Sequence, residues 1–500
     1  MDSAATRSFP LMLVLLLFAA GPLQARREGV PGHPAKLSYP DLDWEVPLGA
    51  PYRRTLGNGL RAYIAEDRSL PLVKIVGYVA SGTLFDPGGK EGLGDLTFRL
   101  MRTGGTRDFP ADTLDALLER LAIDVSLSCT QSHGEFKAFF LSEFTDTALM
   151  LLKQILFHPS FEKDRVEQER DRAIEGIRHR FDDPGPTLSA AYYRAMYPEG
   201  ENSRLSTVSG IESIAREDLA AFHSRAIATE NMILGVSGNF DADSMATRLE
   251  ALFPKARPGT SAIDFPKIAV APLAKCVVVH KPITQAYVRM GLPLFARPHP
   301  DYYPMSLLNL VLGGSSFISR LGKKVRSDEG LTYSIYSNAE SNYAFPATLY
   351  ISFFTKSETV NKAIALSLTE IDSLLKNGVT ADELSSAKKI LVDALPSMFR
   401  SAGDIVDNYA WNEYYGRDKG HFRVYPAKIE ACTRDTVNRV ARKYLRPSAF
   451  TYVVVGDTAA LSAQKPFDGF SLKTLSPART ILPEDIPALR PKPVPVDTTR

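Results

Sequence analysis

The sequence contains one long unit twice, and this duplication restricts the possible folds more than any other feature. Residues 216–239 and 434–457 align without gaps at an offset of 218 residues. Each predicts an amphipathic helix, a short break and an apolar strand that ends in glycine. The same offset places Asp164 on Asp382, and each of these residues begins a long helical pattern. Solenoid repeats are much shorter, so the common offset indicates two duplicated domains.

Within each half, predicted strands occur in groups and predicted helices occur in groups. This order favours an α+β fold of layered sheets and helices over a parallel βαβ array. The predicted strands lie at 55–65, with an Asn-Gly turn inside, and at 72–80, 136–141, 276–280, 286–291 and 347–354. The predicted helices lie at 92–103, 111–122, 145–157, 164–181, 303–312, 358–376 and 382–398. Four prolines make 254–272 a linker, and six prolines predict that 476–500 is extended and weakly packed.

The first 25 residues have the pattern of an export signal. Arg7 precedes an apolar run of ten, from Leu11 to Ala20, and the small residue Ala25 suits cleavage. Ten residues are too few to cross a bilayer as a helix, and no later segment has 18 uninterrupted apolar residues. We therefore expect an exported chain, periplasmic or secreted, without stable membrane insertion after cleavage. An uncleaved membrane anchor is the alternative.

Composition excludes some kinds of site. The 59 Lys and Arg against 57 Asp and Glu give a net charge of +2, which argues against a nucleic-acid binder. Cys129, Cys276 and Cys432 are odd in number and far apart, which predicts buried thiols rather than disulfides. No two of the eight His are within five residues of each other, so no helix or hairpin offers a local pair of His ligands.

Several segments of the first half together resemble the N-terminal pattern of the insulinase-like (M16) zinc peptidases. They are Leu56-Gly-Asn-Gly-Leu-Arg, Ala80-Ser-Gly-Thr-Leu-Phe-Asp-Pro, Gly92-Leu-Gly, Gly104-Gly-Thr, Pro159-Ser-Phe, and Gln168-Glu-Arg through Phe181-Asp-Asp-Pro. The resemblance covers about 50–460. It implies two duplicated insulinase-type (LuxS/metallopeptidase-like) α/β domains that form half of a clam-shell chamber around an extended peptide. In half-sized members of the family, a second chain supplies the other half.

The repeat and the resemblance together divide the chain into six parts. They are a signal peptide at 1–25, an N-terminal extension at 26–50, a first M16 domain with a degenerate zinc site at 51–253, a linker at 254–272, a second M16 domain with an Arg/Tyr motif at 273–475, and a Pro-rich tail at 476–500.

The zinc motif of the family is replaced in this chain. Active members have His-x-x-Glu-His on the helix after Gly-Leu, with two His ligands one turn apart and a Glu that takes a proton from the zinc-bound water. By the resemblance, the two His positions are Asp95 and Arg99, the general base is Phe98, and the later Glu ligand is Gly176. Phe and Arg cannot bind zinc. We therefore expect no metal and no cofactor in this chain, and an ordinary i,i+4 ion pair between Asp95 and Arg99.

A zinc site remade from other residues is the alternative. His133 and His179 lie in segments that line the family's N-terminal site, and Glu175 is next to the lost ligand. Solvated or capping roles are the ordinary interpretation of these side chains.

The second half keeps the family's substrate-binding pattern. The glycine-bearing turn is Gly313-Gly314, followed by Ser319-Arg320-Leu321, Arg326 and Tyr333. The resemblance implies that the Tyr hydroxyl donates to the oxyanion of the tetrahedral intermediate and that the Arg binds a substrate carbonyl. A helix-to-strand step of seven residues would bring the two side chains together. The alternative is a surface Arg326 and a core Tyr333 in an alternating strand.

The replacement of the zinc motif in the first half and the retention of Arg326 and Tyr333 in the second half together predict a function. The leading hypothesis is the non-zinc subunit of an exported heterodimeric M16-type peptidase, inactive alone, whose zinc-bearing partner subunit binds Zn and cleaves extended peptides. A non-enzymatic peptide-binding or assembly protein of the same fold is the alternative from another class. A self-sufficient zinc endopeptidase is the third option, and the ligand count argues against it.

Overall fold

The computed structural model describes residues 44–198, 200–256 and 265–489, together with the isolated positions 33 and 37. The predicted leader, most of the N-terminal extension, part of the linker and the end of the tail lie outside the described residues, so predictions for them stay predictions. From Glu45 onwards the described residues belong to one compact unit.

Twelve strands form two sheets in the described part of the chain. The first half contributes β1 Arg53–Thr55, β2 Arg61–Glu66, β3 Leu72–Val79, β4 Asp124–Cys129, β5 Gly134–Leu141 and β6 Met232–Gly238. The second half contributes β7 Cys276–His280, β8 Gln285–Pro293, β9 Ile335–Ala339, β10 Thr348–Lys356, β11 Thr451–Gly456 and β12 Ala478–Ile481. The orders are β1-β2-β6-β3-β5-β4 and β12-β7-β11-β8-β10-β9. Three neighbouring pairs are parallel, namely β2 with β6, β7 with β11 and β7 with β12.

Fifteen α-helices cover these sheets in the described part. The first half contains α1 Leu93–Thr103, α2 Ala111–Arg120, α3 Thr145–Phe157, α4 Lys163–Arg178, α5 Pro184–Met196, α6 Val208–Glu212, α7 Arg216–Ala226 and α8 Ala242–Leu252. The second half contains α9 Tyr302–Leu312, α10 Val360–Asn377, α11 Ala381–Asp393, α12 Ala402–Tyr414, α13 His421–Glu430, α14 Arg434–Tyr444 and α15 Thr458–Ala463. No helix among the described residues is long and apolar enough to cross a membrane.

The two halves repeat one another element by element. Helix α5 at 184–196 and helix α12 at 402–414 have equal lengths and differ by the offset of 218, as do α7 at 216–226 and α14 at 434–444. Strands β6 and β11 occupy the same place in their sheets and end at the same offset. The prediction of a duplicated α+β fold is therefore confirmed.

Local sequence signals set the ends of several helices. The Thr380 hydroxyl accepts a hydrogen bond from the Glu383 backbone N–H at 3.1 Å, and the Glu383 carboxylate accepts one from the Thr380 N–H at 2.8 Å. This capping box satisfies two N–H groups that have no partner inside helix α11. The Ser401 hydroxyl caps α12 in the same manner by accepting the Asp404 N–H at 3.1 Å.

Each half supplies a helix that covers the other half's sheet. Helix α5 packs on β7, β8 and β11 of the second sheet, and α12 packs on β2, β3 and β6 of the first. Tyr192 of α5 is fully buried in this contact. Glu413 of α12 accepts hydrogen bonds from Arg53 Nε at 2.7 Å, Arg53 Nη2 at 2.8 Å and the Tyr63 hydroxyl at 2.8 Å. The exchange of helices joins the two halves through buried apolar and charged contacts.

The tail is packed more closely than its prolines predict. Strand β12 pairs in parallel with β7, and Ile486 is fully buried beside α5. The Leu489 carbonyl accepts a hydrogen bond from Arg194 Nη2 at 2.8 Å. The expectation of a weakly packed tail is therefore wrong for 478–489, because an edge of the second sheet and the apolar side of α5 are available to bind it.

The packing of α5 on the second sheet should contribute strongly to the stability of the whole chain. Replacing Tyr192 by Ala removes a fully buried ring at the junction, which should lower the free energy of unfolding by about 3–5 kcal/mol. Leu70→Ala, at a side chain that is 60% exposed, should change it by less than about 0.5 kcal/mol. Urea unfolding followed by circular dichroism would measure both variants. A Tyr192→Ala protein as stable as the Leu70→Ala protein would contradict the importance of this contact.

Candidate functional site

Helix α1 contains three of the four positions that the resemblance assigns to zinc chemistry, and a buried carboxylate sets its beginning. Asp86 accepts hydrogen bonds from the backbone N–H groups of Gly92 at 2.8 Å and Gly94 at 2.9 Å. Gly92 has a φ of +105°, which favours glycine at this turn. The turn and the cap start the helix at Leu93 and place Asp95 in its first turn.

Two acidic groups beneath this turn have raised pKa values. Burial raises the pKa of Asp86 to about 6, and the two backbone hydrogen bonds offset this only in part. Burial raises the pKa of the Cys129 thiol, and the negative charges of Asp86 and Asp95 raise it further. A thiol of this kind stays protonated near neutral pH and is a poor nucleophile and metal ligand. Cys129, Cys276 and Cys432 are all free thiols. Cys276 and Cys432 are buried, as expected, whereas Cys129 is only partly buried, so the prediction of buried thiols holds for two of the three.

Asp95 and Arg99 form the predicted helix ion pair. Arg99 Nε donates to Asp95 Oδ2 at 3.0 Å, with i,i+4 spacing. Both side chains are largely exposed, at 56% for Arg99 and 44% for Asp95. An exposed pair of this spacing stabilises a helix by about 0.3–0.5 kcal/mol. The two positions of the family's His ligands therefore form a surface contact.

Phe98 is a core residue. Its side chain is fully buried, and it packs directly on the backbone of Gly134 at the start of β5. A Cβ atom at Gly134 would lie only 2.1 Å from the Phe98 ring. The position of the family's general base is therefore occupied by an apolar group that the neighbouring strand is shaped to accept.

Gly176 presents no side chain where the family has its third ligand. It lies in α4, and a Cβ atom there would have nothing within 4 Å. Helix α4 still packs on α1, and Thr103 Oγ1 of α1 lies 3.5 Å from Glu169 Oε1 of α4. Helices α1 and α4 are therefore in contact, and Gly176 adds no chemical group at the position that the resemblance assigns to the third ligand.

The other histidines near this site have different partners. His133 Nδ1 lies 2.8 Å from the Thr130 hydroxyl, and burial followed by the charge of Lys137 lowers its pKa to about 4. His179 contacts Asp182 through Nδ1 at 2.6 Å and Glu175 through Nε2 at 2.8 Å, and these hydrogen bonds raise its pKa. Both ring nitrogens of His179 are therefore already engaged, and Glu175 serves as one of its partners.

The side chains at the four positions that the resemblance assigns to zinc chemistry do not fit a zinc ion. A guanidinium has no lone pair to give, a phenyl ring has no ligand atom, and glycine has no side chain. Asp95 is the one replacement with ligand atoms, and it is paired with Arg99. In the part of the chain that the structure describes, no three His, Cys, Asp or Glu side chains are grouped so that they could hold a metal.

In the second half, the glycine turn closes tightly against strand β9. The Ser337 N–H donates to the Gly313 carbonyl at 3.1 Å, and the Gly314 N–H donates to the Asn309 carbonyl at 2.7 Å. A Cβ atom would lie 2.6 Å from the Ser337 nitrogen at Gly313, and 2.9 Å from the Asn309 amide nitrogen at Gly314. The two glycines therefore serve this close approach of backbone segments.

The segment after the turn is held by Arg320 and contains Arg326. Arg320 donates from Nε and Nη2 to the two Glu383 carboxylate oxygens, each at 2.8 Å, which anchors the segment to α11. A π-helical turn follows at Gly322–Asp328, in which the Glu329 N–H donates to the Lys324 carbonyl at 3.2 Å. Such turns are rare and occur often at functional sites.

Arg326 is directed at two exposed rings. Its guanidinium carbon lies 4.4 Å from the centre of the Phe317 ring and 5.4 Å from that of Tyr333. Its one hydrogen bond in the described part of the chain is a long one, 3.5 Å from Nη1 to the Ser316 carbonyl. No carboxylate among the described residues is within ion-pair distance, whereas Arg320 is fully paired. Arg326 is thus able to bind an external carbonyl or anion.

Tyr333 is exposed on an ordered loop. Its side chain is 77% exposed and precedes β9, so the alternative of a core Tyr333 in an alternating strand is wrong. The Thr332 hydroxyl accepts the Ser334 N–H at 3.1 Å, and the Leu331 N–H donates to the Val325 carbonyl at 3.1 Å. These hydrogen bonds fix the loop on both sides of Tyr333 and bring its ring over Arg326, as the spacing predicts.

Comparison with known proteins identifies the family. Residues 63–204 match the model described as Insulinase (Peptidase family M16), and residues 213–391 match the model described as Peptidase M16 inactive domain. The chain belongs to the M16 peptidase family. The matches and the duplicated fold confirm the resemblance seen in the sequence.

Three M16-type proteins illustrate what the chain is similar to. The Non-peptidase homolog YmxG of Helicobacter pylori is 24% identical over 398 residues, which are 78% of this chain and 90% of that protein. An uncharacterized zinc protease of Streptomyces coelicolor, SCO5738, is 26% identical over 357 residues, 66% of this chain and 76% of that protein. The crystal structure of a peptidase M16 inactive domain from Pseudomonas fluorescens has a TM-score of 0.74 at 24% identity and covers 83% of this chain and 99% of that one.

These comparisons agree with the prediction that the chain is not an active peptidase by itself. One matching model and one matching structure are described as inactive M16 domains, and one relative is named a non-peptidase homologue. The replacements at Asp95, Phe98, Arg99 and Gly176 give the physical reason.

Phe317 is a site residue that the sequence analysis missed. It is 70% exposed, and its ring lies closer to the Arg326 guanidinium than the Tyr333 ring does. Its position within the Ser-rich turn before Ser319 carries no periodic signal. The one sequence signal that could have indicated Phe317 is an aromatic residue between the Gly313-Gly314 turn and Ser319, within the segment that the resemblance had already marked.

Two glycine substitutions test the description of the degenerate zinc site. Gly176→Ala should raise the free energy of unfolding by about 0.5–1 kcal/mol, because it lies in a helix with open space at its Cβ. Gly134→Ala should lower it by about 1–3 kcal/mol, because the Phe98 ring occupies that space. Equilibrium denaturation of both variants measures the difference. Equal stability of the two would show that Phe98 is not packed as described.

Proposed function

We propose that this chain is the non-zinc subunit of an exported heterodimeric M16-type peptidase. The single observation behind the proposal is the contrast between its halves. Arg326 has no carboxylate partner among the described residues and faces the exposed Tyr333. Of the four positions that the resemblance assigns to zinc chemistry, three have no ligand atom, and the fourth, Asp95, is paired with Arg99. A subunit that keeps Arg326 and Tyr333 but lacks the zinc ligands can assist catalysis but cannot perform it.

The retained side chains suit an extended peptide substrate. The Tyr333 hydroxyl can donate a hydrogen bond to the oxygen on which negative charge develops during attack at a peptide carbonyl. The Arg326 guanidinium can donate to a neighbouring substrate carbonyl. Phe317 stacks on Arg326 and restricts its rotamers, which lowers the entropy lost on binding. The hydrogen bonds of the loop around Tyr333 likewise restrict the position of its hydroxyl, which lowers the entropy lost on binding.

Zinc then has to come from a partner subunit. In the described part of the chain, the hydrogen bonds and ring contacts of Arg326 go to residues 316–333 of the second half, and none goes to α1 or α4 of the first. A zinc-bearing M16 chain would supply the metal and the general base, and this chain would supply Arg326, Tyr333 and half of the chamber wall. The two domains at 51–253 and 273–475 would form that half, and the leader pattern at 1–25 supports an exported location.

Reconstitution with the zinc-bearing M16 chain of the same host tests the proposal. The mixture should hydrolyse a fluorogenic peptide that neither chain cleaves alone. Tyr333→Phe and Arg326→Ala should each lower kcat/KM by about 10²-fold, as expected when one oxyanion donor is lost. Tyr336→Phe and Lys323→Ala change exposed residues within three positions of Tyr333 and Arg326 in the sequence and should have little effect.

Two results would contradict this subunit role. One is a partner that is equally active without this chain. The other is about one tightly bound zinc per chain in the purified protein, measured by atomic emission, together with peptidase activity of this chain alone.

A non-enzymatic peptide-binding protein is the second candidate, and the exposed patch favours it. Phe317 at 70%, Ile318 at 49% and Tyr333 at 77% expose apolar surface around Arg326, and such a patch can bind a peptide without any metal. Fluorescence anisotropy with a labelled extended peptide separates the two candidates. Binding to this chain alone that Arg326→Ala weakens, with no hydrolysis after zinc-bearing M16 chains are added, would favour the second candidate.

A further inference from the structure

Two arginines of the second half share one tyrosine ring at a place separate from Arg326. The guanidinium carbon of Arg297 lies 4.6 Å from the centre of the Tyr343 ring, and that of Arg417 lies 4.4 Å from it. Arg297 also stacks on Tyr302 at 3.5 Å, and Arg417 contacts the Tyr415 ring at 5.7 Å. Ring faces hold both guanidiniums in place without neutralising them.

Neither arginine has an acidic partner in the part of the chain that the structure describes. Arg297 Nη1 donates to the Ser341 hydroxyl at 3.0 Å, and the Arg417 side chain donates to no acceptor among the described residues. The Nε atoms of both are buried without a hydrogen-bond partner. The nearest acid in sequence, Asp418, accepts the Gly420 N–H at 2.6 Å and forms no ion pair with either arginine.

This arrangement of two guanidiniums costs free energy unless an anion binds to them. Two like charges near one ring repel each other, and a half-buried guanidinium without an acceptor loses hydration that nothing replaces. His421 at the same place responds to the same charge, since burial and then Arg297 and Arg417 lower its pKa to about 4. Asp418 acts on His421 in the opposite direction and more weakly, so the charged groups at this place are Arg297, Arg417 and the Asp418 carboxylate.

A cavity of about 420 Å³ lies in front of the two guanidiniums. Its wall includes Arg297, Arg417, His421 and the rings of Tyr302, Tyr303 and Tyr343. The one carboxylate in this wall is that of Asp418, which forms no ion pair with either arginine and is engaged by the Gly420 N–H. A neighbouring cavity of about 450 Å³ shares Arg297, Tyr343 and Tyr415 with it and extends to Arg61 of the first half. Pockets of about 300–1,000 Å³ with aromatic walls and a few polar groups are the usual sites of small organic ligands.

We propose that this cavity is a binding site for an organic anion, an oxyanion of the carboxylate or phosphate type attached to an aromatic or apolar body. The planar forks of Arg297 and Arg417 bind the oxyanion, and the tyrosine rings cover the body. The site uses residues other than Arg326 and Tyr333, so it stands whether or not the chain acts with a zinc-bearing subunit.

The test is binding of three small probes to the full chain, measured by isothermal titration calorimetry. N-acetyl-phenylalanine offers a carboxylate on an aromatic body, N-acetyl-phenylalanine amide removes the charge, and phenyl phosphate offers the other oxyanion. At least one of the two anions should bind at least about tenfold more tightly than the amide, the loss expected when charged hydrogen bonds are removed. The stronger anion identifies the source of the oxyanion.

Variants separate this site from general electrostatic attraction. Arg417→Gln and Arg297→Gln should each weaken anion binding at least about tenfold. Arg423→Gln changes the charge equally at an exposed residue of α13, so it should bind the anion as the wild type does. Arg417→Lys keeps the charge without the planar fork and should bind more weakly than the wild type but more tightly than Arg417→Gln.

Thermal unfolding distinguishes a loss of ligand binding from misfolding of a variant. Without ligand, Arg417→Gln should melt at or above the wild-type temperature because it removes like-charge repulsion, and with ligand only the wild type should be stabilised. Equal binding of the amide and the anions, unchanged binding by both Gln variants, or no binding of either anion would overturn the proposal.

Discussion

The packing of α5 and α12 on each other's sheets is the contact on which the rest of the structure depends. Strands β6 and β11 are buried along their whole length, and this requires a cover on both faces of each sheet. In each half, one of these covers is a helix from the other half. Neither half can therefore bury its own sheet, and the described parts of the linker and the tail pack against α5 as a consequence. The Ala271 N–H of the linker, for example, donates to the Met196 carbonyl at 3.0 Å.

This dependence explains which elements the sequence predicted. The helices with their own periodic pattern, such as α10 and the repeated α7 and α14, are visible from local periodicity because each packs within its own half. Helix α12 contains Gly403, Asp407 and Trp411, and its pattern makes sense only against a sheet that lies more than 150 residues earlier in the chain. Tyr333 shows the same limit, because alternation placed it in a strand and a local hydrogen bond from Ser334 to Thr332 placed it in an exposed loop.

The candidate site divides in the same way. The replaced zinc positions and the retained Arg326 and Tyr333 were readable because they occupy fixed places in a motif. The packing of Phe98 on Gly134 was not readable, since it joins a helix to a strand that follows at some distance in the chain. Nor was the shared ring of Tyr343, because Arg297 and Arg417 are far apart in the sequence and meet only through the fold.

The partners of the arginines give the best physical guide to where this molecule binds something else. With a net charge of only +2, the chain has nearly enough acids to pair every base, so an unpaired arginine is a property of its position. Arg320 is paired with Glu383, and the buried Asp301 receives Arg439 and Lys443, each at 2.7 Å. Burial alone would raise the pKa of Asp301, but these hydrogen bonds and that of Tyr444 hold it well below its ordinary value. Arg326, Arg297 and Arg417 lie instead against aromatic rings, and no acid among the described residues is within ion-pair distance of them. Ring faces leave the donors of a guanidinium free at its edge, and this is the physical basis for the two proposals, a substrate carbonyl at Arg326 and an organic anion at Arg297 and Arg417.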